Sequence, residues 1–503
     1  MKQPLIVIIL LIQLFLRIHH TDALPGYADE SLHIRRAEVA WDFYEPVASY
    51  QPGKLMLYYY LGIFETERIH ALVISRLAVA LMSLLGSVAI YALGKALHSE
   101  RAGLVGMFFY AVIPYAIFFD RMALADPPAM VIFALAAWSL VNWAHRPTMK
   151  RSALSGILLL LTPFAKLTGA GIVFAPFLVI YLTPSPRWRG GRGVRSLTII
   201  YAIFGIFWAI LMIPTLLGEI RGGEHRMEIV DEYLLNAYEE DQSFVPNLID
   251  NIGDAFRQIG IYFWPPVMIL TVILGLALIF LRWRAALFLW GMLALAWLPT
   301  LAGSEIARTR YLTLGLPFLI LLLVLGLFAL VERIQPKRLI EWSIFAAVMV
   351  YGLAWGLPFF QNASTDPTAL TLPERDRWRY MQAVTAGYGL QEAVTFLEND
   401  LAHEVGENPV EVVGILGSCH LMRLFLQEPG PVRLICADLV PVHQLTDSEL
   451  AEIEADAADG PLYLLLERDL GTNLDDLNLE WEFVRDFERP HEGVTIELWR
   501  VSP

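Results

Sequence analysis

Up to about residue 360 the hydrophobic positions run in long blocks broken by short polar connectors. Beyond that point they shorten into runs of five to eight. Blocks at 4–20, 70–94, 102–119, 124–143, 197–217, 262–281, 285–302, 311–331 and 339–359 approach the roughly 20 apolar residues that a bilayer-crossing helix requires. The first block reads as an uncleaved anchor rather than a signal peptide, since "TDA" beyond it is a poor cleavage site. The stretch 152–182, "SALSGILLLLTPFAKLTGAGIVFAPFLVIYL", is too long for one ordinary span and is interrupted by Pro163, Lys166, Gly169 and Gly171. Basic connectors flank it on both sides, "HRPTMKR" and "RWRGGRGVR", and short basic loops remain cytoplasmic. It is therefore expected to cross and return as a helical hairpin with Lys166 near the far turn, which brings the count to about eleven spans.

The same rule places "LRWR" at 281–284 and "ERIQPKR" at 332–338 inside, with a cytoplasmic N-terminus and an extracytoplasmic tail. Four polar segments then share the outer face. They are the loop 21–69, "FFDRMALADPP" at 118–128, the turn at Lys166, and "GSEIARTRY" at 303–311. The loop 218–261 joins them, and its segment "MEIVDEYLLNAYEEDQ" is expected to lie along the interface. The expected division is a membrane domain over 1–360 and an acidic domain over 361–503.

In the tail, "VEVVGILG", "VRLICADL", "PLYLLLERD", "WEFVRDF" and "VTIELWR" read as strands and "SELAEIEADA" as a helix, a small α/β unit. The fold class is an α-helical polytopic membrane protein carrying this extracytoplasmic domain, and the expected location is the plasma membrane. Composition agrees: 56% of the 503 residues are hydrophobic and 17% charged. The net charge of −14 is carried by the tail, which holds nine Lys+Arg against 27 Asp+Glu. No basic, phosphate-seeking surface is available there, so nucleic acid is excluded as a partner. Only two cysteines occur, Cys419 and Cys436, which rules out a cysteine-based zinc site. Outside the cytoplasm they are able to pair as a disulfide; two free buried thiols fit the sequence equally well.

Charges at membrane depth are costly and usually functional. Lys166 either snorkels from a helix end or forms an anion site at the hairpin apex. Asp126, before Pro-Pro, reads either as a helix N-cap or as a functional acid beside Asp120 and Arg121. Glu305, Arg308 and Arg310 precede a span; two arginines with an acid suit phosphate or carboxylate recognition. Asp29 and Glu30, in "GYADESLH", fit two readings: Asp29 capping a helix that opens at Glu30, or a catalytic base at the bilayer surface. Acids and cations on one face suit a displacement in which a base deprotonates an alcohol while cations hold a departing phosphate. No P-loop, HExxH or GxSxG is present.

The order of these segments resembles the GT-C superfamily of integral-membrane glycosyltransferases, over roughly residues 5 to 330. The likeness is to the branch of the dolichyl-phosphate-mannose–protein mannosyltransferases and the lipid A aminoarabinose transferases. It is carried by the first span ending near Arg17, the pair Asp29–Glu30, "DRMALADPP", the "LLTPFAKLTG" hairpin, and "RYLTLGLP" opening a late span. The first-loop motif is "YADE" here, where the glycolipid-anchor mannosyltransferases have "HPDE".

The resemblance implies an inverting transfer of a sugar from a polyprenyl-phosphate donor to a hydroxyl of a lipid, glycan or protein acceptor on the outer face. It implies Asp29 as catalytic base with Glu30 beside it. It also implies Lys166, Arg310 and Asp126 as substrate-binding residues, to which the polar segments of the outer face add Arg121, Glu305 and Tyr311. No cofactor is required; a divalent metal at Asp29 and Asp126 is admitted but not demanded. The alternative reading is a multi-spanning lipid or solute transporter or flippase. Such proteins usually show internal repeats and mid-membrane charges, whereas here the polar residues sit at the outer ends of the spans and no repeat is visible.

Overall fold

The structure is a computed structural model. It describes residues 2–41, 54–64, 70–182, 192–220, 244–303, 308–333, 337–402, 409–426, 430–436, 447–459, 462–467 and 479–502. The acidic segment expected along the interface, 227–242, lies outside the described residues. The chain forms two compact units. The first comprises Met1–Thr21, Arg36–Phe64 and Ser75–Ser364; the second comprises Asp22–Arg35, Glu65–Ile74 and Thr365–Pro503.

The first unit is helical. Its elements begin with α1 (Lys2–Ile18), and α2 (Ala28–Glu38) ends within it. They continue with α3 (Leu55–Gly62), α4 (Ala71–Leu97), α5 (Glu100–Val112), α6 (Pro114–Phe119), α7 (Asp126–His145), α8 (Met149–Ala165), α9 (Ala175–Leu182) and α10 (Arg192–Ile220). After these come α11 (Phe244–Phe263), α12 (Pro265–Gly303), α13 (Leu316–Val331), α14 (Lys337–Tyr351) and α15 (Leu357–Thr365). Among the described residues six segments are long and apolar enough to cross a bilayer: Gln3–Ala23, Ala71–Leu97, Asp126–His145, Pro265–Ala302, Thr309–Val331 and Trp342–Thr365. The protein is an integral membrane protein. The count of eleven is not confirmed by this criterion, in part because α12 is two helices meeting at Arg282, where the backbone leaves the helical conformation, and is counted as one segment. The sequence there reads as two spans about the "LRWR" turn.

The helix α13 is apolar all round and buried along nearly its whole length, as expected of a helix enclosed by others. Phe280, Ile269 and Leu276 on α12 are exposed instead, Phe280 at 88%, which is how residues facing acyl chains present themselves. Two buried polar side chains near the start of the unit, Gln13 and Arg17, are matched by partners on other elements. Gln13 donates to the hydroxyl and the carbonyl of Ser83, each at 3.1 Å, so α1 is bonded to α4. Arg17 is fully buried: its Nε meets Asp120 Oδ2 at 3.1 Å, and its Nη atoms donate to the carbonyls of Ala111 and Tyr110 at 2.7 and 3.0 Å. The Tyr110 hydroxyl donates to the same Asp120 oxygen at 2.9 Å.

The second unit contains a five-stranded sheet: β1 (Val410–Ile415), β2 (Val432–Cys436), β3 (Leu462–Glu467), β4 (Glu480–Phe487) and β5 (Ile496–Ser502), in the order β2-β1-β3-β5-β4. β1 lies parallel to β2 and β3, while β5 is antiparallel to both β3 and β4. Apolar residues cover both faces. Val412, Leu434 and Leu465 pack with the helix Leu390–Phe396, and Val413, Leu464 and Val501 pack with Ile453 and Ala457 of the helix Asp447–Asp459. Burial on both faces explains the near-continuous apolar runs of β1 and β3.

Cys419 and Cys436 form a disulfide, with Cα atoms 5.7 Å apart. Beside it Glu467 is paired with Arg489 at 2.5 Å, both side chains fully buried, and accepts from Gly417 N–H at 2.9 Å. Burial pushes the Glu467 carboxyl above the usual carboxylate range against the opposing pull of Arg489 and Gly417.

Removing one member of a buried pair strands the other. Asp120→Ala leaves Arg17 uncompensated and is expected to cost about 3–5 kcal/mol. Thermal unfolding of the purified variant in detergent, beside Asp120→Asn, checks this; Asp120→Asn is expected to fall between the variant and the wild type.

Candidate active site

The helix α8 ends where the sequence turns, at Ala165. Lys166 follows in an extended conformation, and a 3-10 segment, Leu167–Phe174, leads into α9. The two halves of the expected hairpin thus meet at Lys166. Its N–H still donates to Thr162 O at 3.0 Å, and its own carbonyl accepts from Gly169 N–H at 2.9 Å, so the break costs no backbone hydrogen bond. Close packing demands glycine next. A Cβ on Gly171 would lie 2.3 Å from the Leu295 carbonyl oxygen of α12.

The exposure of Lys166 is 6%, too little for a snorkelling lysine. Its ammonium is hydrogen-bonded to Asp126 Oδ1. Asp126 is itself 2% exposed and is the first residue of α7. The N-cap position belongs to Ala125, so the reading of Asp126 as a cap is corrected: its carboxylate is directed to Lys166. An ammonium held in an apolar unit requires such a partner, whereas a helix beginning with Pro127 and Pro128 has few free N–H groups to cap.

A third segment completes the cluster. Thr309–Gly315 forms a 3-10 turn ahead of α13, carried by a hydrogen bond from Trp297 Nε1 to Leu312 O at 2.8 Å and by the Tyr115 hydroxyl on Thr309 O. The turn presents Tyr311, whose ring has the Lys166 ammonium 4.0 Å from its centroid and the Arg310 guanidinium 4.9 Å from it. Arg310 Nη2 donates to the Tyr311 hydroxyl at 3.0 Å, and Arg308 lies 5.8 Å from the same ring. Among the described residues, three cations, one carboxylate and one phenol therefore gather in the first unit, with Lys166 and Arg310 almost wholly buried. The arrangement is receptive to an anion with several oxygens.

ArnT from Cupriavidus metallidurans bound to undecaprenyl phosphate aligns with a TM-score of 0.59 at 12% identity, over 98% of this chain and 97% of that one. The apo form of the same protein aligns at 0.58 with the same coverage. The Archaeoglobus fulgidus oligosaccharyltransferase aligns more loosely, at 0.49 and 13% identity over 92% of this chain and 69% of that one. No family model and no curated relative matches the sequence. The chain has the GT-C fold.

Within this GT-C fold the remaining expected site residues fall in different surroundings. Arg121 is fully buried and spent on main-chain oxygens: it donates to the carbonyls of Leu16, His19, His20 and Ala363 and to the Ser364 hydroxyl. It ties α1 to α15. Glu305 lies outside the described residues. Asp29 and Glu30 belong to the second unit, in the first turn of α2.

That helix opens at Ala28, so the expectation that Asp29 caps a helix starting at Glu30 is corrected. The capping acid is Glu30, whose carboxylate reaches back to the Tyr27 N–H at 2.9 Å. Asp29 is half-buried. Among the described residues no three His, Cys, Asp or Glu side chains gather as a metal cradle. Trp297 and Tyr115, which hold the Tyr311 turn, are not singled out by the sequence. Their signal is a polar-tipped aromatic inside an otherwise aliphatic span.

Gly171→Ala places a methyl group against backbone that has no room to yield. It is expected to destabilise the protein by about 1–3 kcal/mol. Its melting temperature in detergent, measured beside that of Gly253→Ala, where a Cβ meets nothing within 4 Å, provides the check.

Proposed function

We propose that the protein is an inverting glycosyltransferase that moves a sugar from a polyprenyl-phosphate donor to an acceptor hydroxyl on the extracytoplasmic face. The observation that carries this reading is the convergence of Lys166, Arg308 and Arg310 on Tyr311. It supplies polyvalent anion recognition inside a membrane unit of GT-C fold. The support from the fold is analogy: a protein of this fold has been solved with undecaprenyl phosphate bound.

Asp29 takes the proton from the acceptor hydroxyl, and the resulting oxygen attacks the anomeric carbon. The bond from that carbon to the phosphate oxygen breaks, and the polyprenyl phosphate departs with the electron pair and one additional negative charge. Lys166 and Arg310 hold that charge, Arg310 by charge-assisted N–H bonds and Lys166 as a compact ammonium. Asp126 orients Lys166 in the absence of donor. Glu30 keeps the first turn of α2 closed, so its role is to position Asp29 rather than to move a proton. The disulfide supports an extracytoplasmic tail, since such bonds persist in oxidising compartments.

Asp29→Asn retains the shape of the side chain but cannot accept a proton. Turnover is expected to fall about 10²–10⁴-fold, the usual worth of a positioned base, with little change in melting temperature. Lys166→Met and Arg310→Met are expected to weaken binding of undecaprenyl phosphate by about 2–3 kcal/mol each, and Arg310→Lys to restore it poorly. Normal turnover in Asp29→Asn would return Asp29 to a structural role, and unchanged affinity in both Met variants would do the same for the cations.

A further inference from the structure

The second unit contains a contact that the reaction above does not use. A short helical turn, Cys419–Met422, follows β1; its Leu421 and Met422 are buried in the core between the sheet and the helix Leu390–Phe396, and Leu421 also reaches the residues that precede α2. Leu421 is fully buried against two glycines. A Cβ on Gly26 would lie 2.7 Å from Leu421 Cδ1, and one on Gly387 would lie 2.8 Å from Leu421 Cδ2. Those glycines carry the main-chain pairing that opens α2: Gly387 N–H donates to Gly26 O at 2.8 Å, and Ala28 N–H donates to Thr385 O at 3.0 Å. Two turns further along α2, Arg35 Nη1 lies 3.1–3.2 Å from both ring nitrogens of His420. Leu424 and Phe425 pack with Ile34, Ala71 and Leu72. The segment from Cys419 to Phe425 thus grips α2 at its start and along its length, on either side of Asp29.

That segment is fixed to the sheet by packing, since Cys419, Leu421 and Met422 share a core with Val412, Leu434 and Leu465, and by a covalent bond. Cys419 is bonded to Cys436 at the end of β2, and Gly417 N–H is held by Glu467. We propose that Cys419–Phe425 is the positioning element for Asp29, with Leu421 as its plug and the Cys419–Cys436 disulfide as the anchor that holds it. The proposal rests on the reading of Asp29 as the base. A helix whose start is gripped by a disulfide-pinned loop, together with the main chain of Thr385 and Gly387, aims its carboxylate less well once that loop is released. Misplacement of about 1 Å costs on the order of 10²-fold in turnover.

The test uses the full-length protein in nanodiscs. The disulfide is opened by a phosphine reductant, or removed in Cys419→Ala/Cys436→Ala, and Leu421→Ala is compared with Leu421→Met. Hydrogen exchange at residues 26–35 reports the grip, and equilibrium binding of undecaprenyl phosphate reports the phosphate ligands. Turnover is followed as sugar release from undecaprenyl-phosphate mannose, or from its pentose analogue where the wild-type protein prefers it. The expected result is faster exchange at residues 26–35, retained protection in β1, β3 and β5, unchanged undecaprenyl phosphate binding, and kcat lower by about 10²-fold. Leu421→Met is expected to recover most of what Leu421→Ala loses.

Full kcat with the disulfide open would overturn the proposal. So would a loss carried by undecaprenyl phosphate affinity, or loss of protection throughout the sheet, which would make the bond a general staple. Normal turnover in Asp29→Asn would instead refute the base reading, and the exchange at residues 26–35 would still report the grip independently.

Discussion

An ammonium group buried in an apolar helical unit cannot stand alone, and the pairing of Lys166 with Asp126 is the constraint around which the first unit is built. It joins the break between α8 and α9 to the first residue of α7. It leaves the ammonium facing the Tyr311 ring, where Arg310 and Arg308 add further positive charge. The same rule recurs at Arg17 and Asp120, where a second buried cation is matched by a carboxylate and two carbonyls. The two pairs differ in what remains after neutralisation. Arg17 and Asp120 exhaust one another, which suits a structural tie. Lys166 and Asp126 instead meet beside Arg308, Arg310 and Tyr311, and clustered cations are what an anionic group seeks.

The two acids Asp29 and Glu30 illustrate how a shared sequence motif divides its work. Both begin α2, yet adjacent helical residues point in different directions. Glu30 turns back onto the Tyr27 N–H and is consumed in closing the helix, while Asp29 stays half-buried. The second unit adds its own rigidity through a sheet covered on both faces and a disulfide at the ends of β1 and β2.

Much of this was legible in the sequence because hydrophobic periodicity reports burial directly. The five strands and the helix over 447–459 fall where alternation and apolar runs place them, and the break at Lys166 falls where Pro163, Gly169 and Gly171 interrupt a long block. The GT-C fold followed from the order of "DRMALADPP", "LLTPFAKLTG" and "RYLTLGLP". What escaped was direction. Pattern identifies Arg121 as a charge in an outer segment but not that its guanidinium is spent on the carbonyls of α1 and α15. Likewise Asp126 before Pro-Pro looks like a cap, because the lysine that claims it is 40 residues away. The sequence admitted a disulfide between Cys419 and Cys436 without deciding it, since the proximity of two cysteines depends on the strand order β2-β1-β3.

The central claim is that the protein breaks a glycosyl–phosphate bond rather than carrying a lipid across the bilayer. Purified protein in liposomes loaded with undecaprenyl phosphate bearing a radiolabelled sugar, with candidate acceptors on the outer side, tests it directly. The account predicts labelled glycoside and free undecaprenyl phosphate appearing in equal amounts. Intact labelled donor that moves between leaflets, with no free undecaprenyl phosphate formed, would contradict it.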